Sequence, residues 1–393
     1  MAVLTTLGSV PGRRLTTAAV VSLAFALFLT LYFVADSRHP SYPSFPFSSV
    51  SDAACAAIDT TLDDSTTNEK HVIPNIVHYV WVLKDPAEFR LPFKVFVSIY
   101  SATLFWNPDK IYIHTDASPG ILLDAQAAGD VWTRRILALP GVIPNFIQAP
   151  NVTDKGVHIK KMEHKADFLR MAVLRDYGGV YLDTDAVPLR DIGPLRNSGF
   201  ANVLGGAVAL RMRHSGYLNN GVMMSVPQST LMKIFYHAAH EFFDGKWATA
   251  SVYLLTDLAN RLMPLPSEVL ILQPQAFAPM SWEFADKKRL FRPSRSLGDR
   301  DLATTSPLLE PTCQDALAWL RQREWIGTDS FDIDFSSSYV LHAFDDSIDK
   351  IPGWDGVVDV KYVLARESVY ARAVYPAVQH AVQAGIIPVG EME

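Results

Sequence analysis

Two carboxylates one residue apart, in Asp183-Thr184-Asp185, are the residues of this chain best suited to chemistry. They follow the apolar run Val180-Tyr181-Leu182 and precede Val187-Pro188. They therefore fall where a strand gives way to loop, and alternation no longer sends the second side chain to the opposite face. Both can then reach one cation. Hard divalent ions, Mn2+ or Mg2+, take a few carboxylates and complete their shell with water and the phosphates of a substrate. Such an ion would bridge the two phosphates of a nucleotide sugar and neutralise the charge that develops as the bond to the sugar breaks. The competing reading is a solvated turn with two ordinary acids. Against it stands the context, because carboxylates between apolar residues at a sheet's end need a partner.

The elements that must position these acids are legible from pattern. Ile159 to Tyr177 contains no Pro or Gly, and Phe168, Met171, Ala172 and Arg175 recur at helical spacing, so a helix is predicted there. Gly178-Gly179 ends it, as glycine does after a last turn. The strand Val180 to Asp183 then places the acids at its C-terminal end, where open α/β sheets bind ligands. Asp167 and Arg170 stand three apart on the preceding helix and share a face. They form either a surface ion pair or, if buried, a pair aimed at a sugar, with Asp167 accepting from hydroxyls and Arg170 reaching a hydroxyl or phosphate.

Further strands are expected at Ile76 to Trp81, Lys110 to Thr115, Gly221 to Val226 and Tyr339 to Phe344. Helices are expected at Lys94 to Trp106, Ile121 to Leu139, Leu231 to Phe243 and Ser251 to Met263, and an irregular loop at Asp286 to Thr312. Alternating strands and helices argue for an α/β fold with a mainly parallel, Rossmann-type sheet flanked by helices.

The 393 residues are 49% hydrophobic with a net charge of -6, and no basic stripe offers itself to a phosphate backbone, so nucleic acid is not an expected partner. Residues 15–35 carry no charge and match the length of a membrane-spanning helix; a cleaved signal peptide is the other reading, against which stand the length of the run and Asp36-Ser37 after it. Arg13 and Arg14 precede the run, which puts the tail 1–14 in the cytosol and the rest beyond the membrane. Residues 36–70, rich in Ser, Pro, Thr and Asp, read as a stem, and 71–393 as the catalytic body. Asn151-Val152-Thr153 is an acceptor triplet for N-glycosylation. Cys55 and Cys313 are too few for a disulfide framework, and whether they pair is left open.

The 23-residue segment from Lys165 to Val187, Lys-Ala-Asp-Phe-Leu-Arg-Met-Ala-Val-Leu-Arg-Asp-Tyr-Gly-Gly-Val-Tyr-Leu-Asp-Thr-Asp-Ala-Val, resembles the signature of glycosyltransferase family 32. That family's members include α-1,4-galactosyl- and N-acetylglucosaminyltransferases and fungal α-1,6-mannosyltransferases. Ile73 to Trp81 is similar to the family's opening strand, with Trp81 in the place of an aromatic that stacks on the donor base; the other reading of Trp81 is plain core. Leu218 to Ser225 resembles the segment that supplies an Asn near the donor sugar. Asn220 is preferred to Asn219 for that role, although Asn-Gly is also a turn dipeptide. Gln273 to Trp282 is similar to a late element of the α-1,4-hexosyltransferases, and Tyr339 to His342 resembles a strand bearing a late His. Here His342 is followed by Ala-Phe-Asp-Asp-Ser instead of the family's Ser-Trp, so it stands either as a metal or phosphate ligand or as a core histidine.

The resemblance implies a GT-A fold and a hexose transfer that retains anomeric configuration. It casts Asp183, Asp185 and His342 as metal ligands, Asp167 and Arg170 as sugar contacts, and Trp81, Tyr181 and Asn220 as donor contacts. UDP-galactose or UDP-N-acetylglucosamine is the favoured donor and GDP-mannose the alternative. The acceptor is expected to be a glycan or glycolipid, and the setting the Golgi membrane with a lumenal catalytic domain, as a monomer or as a homo- or hetero-oligomer. An inactive nucleotide-sugar-binding partner and a metal-dependent hydrolase are the rival classes. The Asp-x-Asp is intact, and no His or Glu lies near Asp183 in sequence to serve a hydrolase as base.

Overall fold

A computed structural model describes residues 71–208, 216–294, 335, 337–388 and 390. The expected anchor and stem, Cys55 and Cys313 lie outside the described residues, among which no helix is long and apolar enough to cross a membrane.

The chain runs β1 (Ile76–Trp81), α1 (Phe93–Trp106), β2 (Lys110–Thr115), α2 (Pro119–Ala128), α3 (Val131–Leu137), β3 (Val142–Phe146), α4 (Met162–Tyr177), β4 (Gly179–Leu182), β5 (Ala186–Pro188) and α5 (Gly193–Arg196). It continues through β6 (Asn202–Gly206), β7 (Leu218–Ser225), α6 (Thr230–Phe242), a π-helical turn (Thr249–Tyr253), α7 (Leu254–Leu262), β8 (Val269–Leu272), α8 (Phe284–Phe291), β9 (Val340–His342), α9 (Val360–Ala365) and α10 (Val369–Gln383). The main sheet has seven strands in the order β3-β2-β1-β4-β7-β6-β8. All run one way except β7, which pairs antiparallel with both β4 and β6. The expected α/β architecture and mainly parallel sheet are what the chain forms. β4 is buried along its whole length between β1 and β7, as its unbroken apolar composition requires.

Three expectations need correction. The stretch Ile121 to Leu139 is two helices, because Asp130 caps a new start by accepting from the amides of Trp132 and Thr133 at 3.0 and 3.3 Å. The stretch from Asp286 is not irregular at its beginning: it lies in α8, and only its later part, from 295 on, falls outside the described residues. The late strand is the short β9, and it joins β5 in a separate two-stranded ribbon. Pro188 at the end of β5 faces Val340 at a position where the ladder needs no N–H, and the Leu189 amide beyond it donates to the Tyr339 carbonyl at 2.9 Å.

Gly178 and Gly179 take φ of 63° and 99° between α4 and β4. A side chain on Gly178 would stand 2.9 Å from the Ser225 carbonyl, and one on Gly179 would meet the Ile76 carbonyl. Glycine is required here both for conformation and for the close approach of neighbouring strands.

Beside this turn a polar relay crosses the sheet. His78 Nε2 donates to the Gly178 carbonyl at 2.7 Å, which leaves His78 Nδ1 to accept from His114 Nε2 at 2.9 Å. His114 Nδ1 in turn accepts from Asn145 Nδ2 at 3.0 Å. Each ring carries one proton, and each nitrogen has a partner. Both histidines are fully buried, and burial first, then their mutual proximity in the case of His114, lowers their pKa values to about 4 and about 3. The unfolded chain takes up these protons near its ordinary value of 6.5, whereas the folded chain does so only near 4 and below. The stability owed to neutral histidines is therefore full above 6.5 and lost as pH falls. Urea unfolding free energy should decline between pH 6.5 and 4 by about 1 kcal/mol per pH unit for each histidine. A flat profile over that window refutes the neutral relay.

Candidate active site

The C-terminal end of β4 delivers Asp183, whose amide donates to the Gly221 carbonyl at 2.7 Å. Three residues on, the β5–β9 ribbon sets Ala186 opposite His342, which brings a side chain from 157 residues downstream beside Asp185. His342 Nε2 lies 3.3 Å from Asp185 Oδ1 and 3.7 Å from Asp183 Oδ2. One atom from each of the three residues lies within 4.8 Å of the others.

The tautomer of His342 decides what this cluster needs. Asn219 Oδ1 accepts the Gly221 amide at 2.7 Å, so its amide orientation is fixed by the backbone. The 3.1 Å contact between that oxygen and His342 Nδ1 must then be donated by the histidine. A neutral His342 accordingly directs its Nε2 lone pair at two carboxylates. Only a cation, or a second proton on the ring, makes that arrangement favourable. Burial opposes protonation of His342, but Asp185 and Asp183 outweigh it and hold the ring above its ordinary value. For Asp185 burial acts upward, yet His342 and the Asp345 amide bring its carboxyl well below the usual range. The His342 ring is buried, as a core histidine is, and it faces the two acids.

Gly221 keeps the cradle open. A Cβ there would come within 2.6 Å of Asp183 Oδ2 and collide with the His342 ring. Two oxygens and one nitrogen form a donor set that suits Mn2+ or Mg2+.

Asp167 and Arg170 are not a surface pair. Arg170 is 6% exposed, and its guanidinium meets Asp183 at 3.1 and 3.3 Å, Asp167 at 3.3 Å and the Asn220 carbonyl at 2.8 Å. It also lies 4.6 Å from the centre of the Tyr181 ring. Its terminal nitrogens are thus committed inward to carboxylates, where a hydroxyl or phosphate contact was expected. Burial lowers the tendency of Arg170 to hold its charge, and the surrounding anions more than restore it. Asp167 accepts from Asn220 Nδ2 at 3.0 Å, and burial pushes its pKa up to about 6 despite Arg170. Tyr181 is buried, and its hydroxyl donates to Asp183 at 2.6 Å. Asn219 and Asn220 divide the work: the first orients His342, and the second holds Asp167.

Around this cluster opens a cavity of about 1570 Å³ that also receives half-buried Trp81 from the end of β1. Every residue proposed from sequence, Trp81, Asp167, Arg170, Tyr181, Asp183, Asp185, Asn220 and His342, lines it. Sequence reasoning missed Asn219 as the orienting group, Gly221, and the pair Asp345 and Lys94. The Asp345 amide donates to Asp185 Oδ2 at 3.2 Å, and Lys94 grips the Asp345 carboxylate at 2.5 Å. The doublet Asp345-Asp346 directly after His342-Ala-Phe was the available signal.

Residues 98–204 match a protein family described as glycosyltransferase sugar-binding region containing DXD motif. Asp167, Arg170, Tyr181, Asp183 and Asp185 fall within the matched residues. Among curated proteins it is 29% identical over 227 residues to glucan organizing enzyme 1 of Cryptococcus neoformans var. grubii serotype A, covering 56% of this chain and 57% of that protein. It is 25% identical over 195 residues to an uncharacterized glycosyltransferase of Acanthamoeba polyphaga mimivirus, covering 44% of this chain and 66% of the other. The matches thus span less than two thirds of either relative. A solved structure similar to this one is the glycosyltransferase GlyE of Streptococcus pneumoniae, at 12% identity and a TM-score of 0.39 over 80% of this chain and 64% of that one.

Asn219 orients His342 without belonging to the three residues that could hold an ion. Asn219→Ala should weaken Mn2+ binding by about 10–100-fold by releasing the His342 tautomer. Titration calorimetry or manganese spin resonance reads this directly, and an unchanged affinity would refute the tautomer argument.

Proposed function

We propose that the protein is a metal-dependent hexosyltransferase of GT-A type that moves a sugar from a nucleoside diphosphate donor to a hydroxyl of a glycan or glycolipid. The observation that carries this reading is the convergence of Asp183, Asp185 and the His342 lone pair on one place at the end of β4, inside a cavity large enough for two substrates. Those three residues would hold Mn2+ or Mg2+. Bound there, the ion supplies positive charge to a departing diphosphate.

The chain's own groups do the rest. Arg170 and Tyr181 clamp Asp183 from behind, and Asp345 restrains Asp185, so the acidic face is preorganised. Asp167 presents a carboxyl tied to Asn220 and Arg170 on the cavity wall, suited to accept from hydroxyls of the donor sugar. Trp81 offers an aromatic side chain to the donor base at the β1 end. In the transfer, the acceptor oxygen bonds to the anomeric carbon as the bond from that carbon to the phosphate oxygen breaks. The nucleoside diphosphate leaves with the electron pair, and the acceptor's proton passes to one of its oxygens. Delivery from the face of departure retains configuration, and positioning supplies most of the acceleration.

UDP-galactose or UDP-N-acetylglucosamine is the donor we favour, from the likeness of Gln273 to Trp282 to α-1,4-hexosyltransferases, with GDP-mannose as the alternative. The name of the fungal relative, glucan organizing enzyme 1, supports an acceptor of the glycan kind. The uncharged run in 15–35, preceded by Arg13 and Arg14, supports a single-pass anchor with the body in the Golgi lumen.

Thermal shift against UDP- and GDP-hexoses, with and without Mn2+, should show a metal-dependent rise for one donor series. Asp183→Asn or Asp185→Asn should each lower kcat/KM by about 100-fold or more. Native turnover in chelator, or by a variant with alanine at both positions, would rule the mechanism out. Release of free sugar in the presence of excess hydroxyl acceptor would make the enzyme a hydrolase instead.

A further inference from the structure

The cavity is larger than one ligand needs. Pockets for a single small molecule usually measure about 300–1,000 Å³, whereas this one measures about 1570 Å³. Trp81, Asp167 and the metal cradle account for a donor. A second wall, formed by Trp282, Phe344, Lys287 and Asp346, has no part in the scheme above.

That wall is built at a cost in backbone strain. Phe344 and Ser347 take φ of 49° and 62°, left-handed conformations that side chains other than glycine rarely adopt. The turn is held on both sides, by the Ala343 amide donating to the Asp185 carbonyl at 3.0 Å and by Lys94 on Asp345. The result is a Phe344 ring stacked on His342 with centroids 3.9 Å apart, and Trp282 packed at 73° against Phe344. Trp282 remains 42% exposed. Next to it, buried Lys287 pairs with Asp346, whose side chain is 75% exposed.

We infer that Trp282, backed by Phe344 and bordered by the Lys287–Asp346 pair, is the acceptor subsite, and that it takes a pyranose ring. This rests on the transferase reading above. An exposed indole presents a negative face that attracts the weakly positive C–H bonds of a sugar ring. The hydroxyls around that ring need both an acceptor and a donor, which the carboxylate and ammonium at its border provide. An acyl chain laid on the same surface would strip water from the ion pair without replacing its hydrogen bonds, which is unfavourable. Contact through Phe344 to His342 sets the platform beside the cradle, where an acceptor hydroxyl must arrive.

The test uses the whole protein with Mn2+, a panel of UDP- and GDP-hexoses, and three acceptor sets: p-nitrophenyl hexopyranosides, long-chain alcohols and serine peptides. At least one pyranoside should accept the sugar. Trp282→Ala should raise the KM for that pyranoside by about tenfold, with the KM for donor and the donor-induced melting shift changed by less than about twofold. Trp282→Phe should recover most of the loss. Asp346→Asn, which keeps an oxygen to accept from Lys287, should also raise the acceptor KM alone, with the melting temperature of the free protein checking that the fold is kept. If Trp282→Ala leaves the acceptor KM unchanged or weakens the donor instead, or if only alcohols or peptides are glycosylated, the subsite is overturned while the transferase reading stands. If the wild type neither binds nor turns over any nucleotide sugar, both fall.

Discussion

Two partly buried carboxylates and a buried imidazole nitrogen point at one place, and the surrounding segments hold them there. Left to themselves, such groups would separate or protonate, because like charges in a medium of low dielectric repel strongly. The Asn219 carbonyl prevents His342 from turning its N–H inward, and the Asp345 amide prevents Asp185 from turning away. Arg170 and Tyr181 do the same for Asp183. Four restraints from four separate segments converge, so the tension is stored by the fold as a whole.

The sheet is arranged for that convergence. Because β7 runs against its neighbours, its beginning lies beside the end of β4, and Asn219, Asn220 and Gly221 arrive where Asp183 emerges. A parallel strand in that position would present its end instead, and these residues would sit at the far edge. The glycines serve the same purpose at short range. Gly179 lets β4 approach β1, and Gly221 leaves open the space between Asp183 and His342 that a Cβ would fill. The π-helical turn Thr249–Tyr253 adds Ser251, Val252 and Tyr253 to the cavity wall, in keeping with the habit of such turns to occur at functional sites.

Much of this was legible before any coordinates. The helix before Gly178-Gly179, the strand after it and the acids at that strand's end follow from local pattern, and each is found in place. The burial of Asp167 and Arg170 could not be read locally, because i, i+3 spacing fixes a shared face without saying what that face meets. His342 was equally ambiguous. Its partner strand is only three residues long and pairs in a ribbon outside the main sheet, a contact that no periodicity announces. The helix boundary at Asp130 is not announced by residue types, because an aspartate between two helix-forming stretches fits one continuous helix as well as the N-cap that it forms here. The turn that Asn220-Gly221 suggests does not form: both residues lie within β7, where the Asn219 side chain accepts the Gly221 amide and gains a second donor from His342.

The restraints also determine how many ligand atoms the cradle can offer. Asp183 Oδ1 is occupied by Tyr181 and Arg170, which leaves Oδ2, itself shared with Arg170 at 3.3 Å, as the oxygen nearest His342. Asp185 Oδ2 accepts the Asp345 amide, so Oδ1 alone faces the site. His342 contributes one nitrogen. Neither acid is placed to bind through both oxygens, and the protein therefore supplies three donor atoms where a hard cation takes about six. Sharing Asp183 with a guanidinium further reduces the negative charge that a cation would meet. An ion held by so few and so partly neutralised ligands is completed by oxygens from outside the chain. A diphosphate would bring several at once, so under the proposed function the cradle would receive a metal–diphosphate pair better than the metal alone.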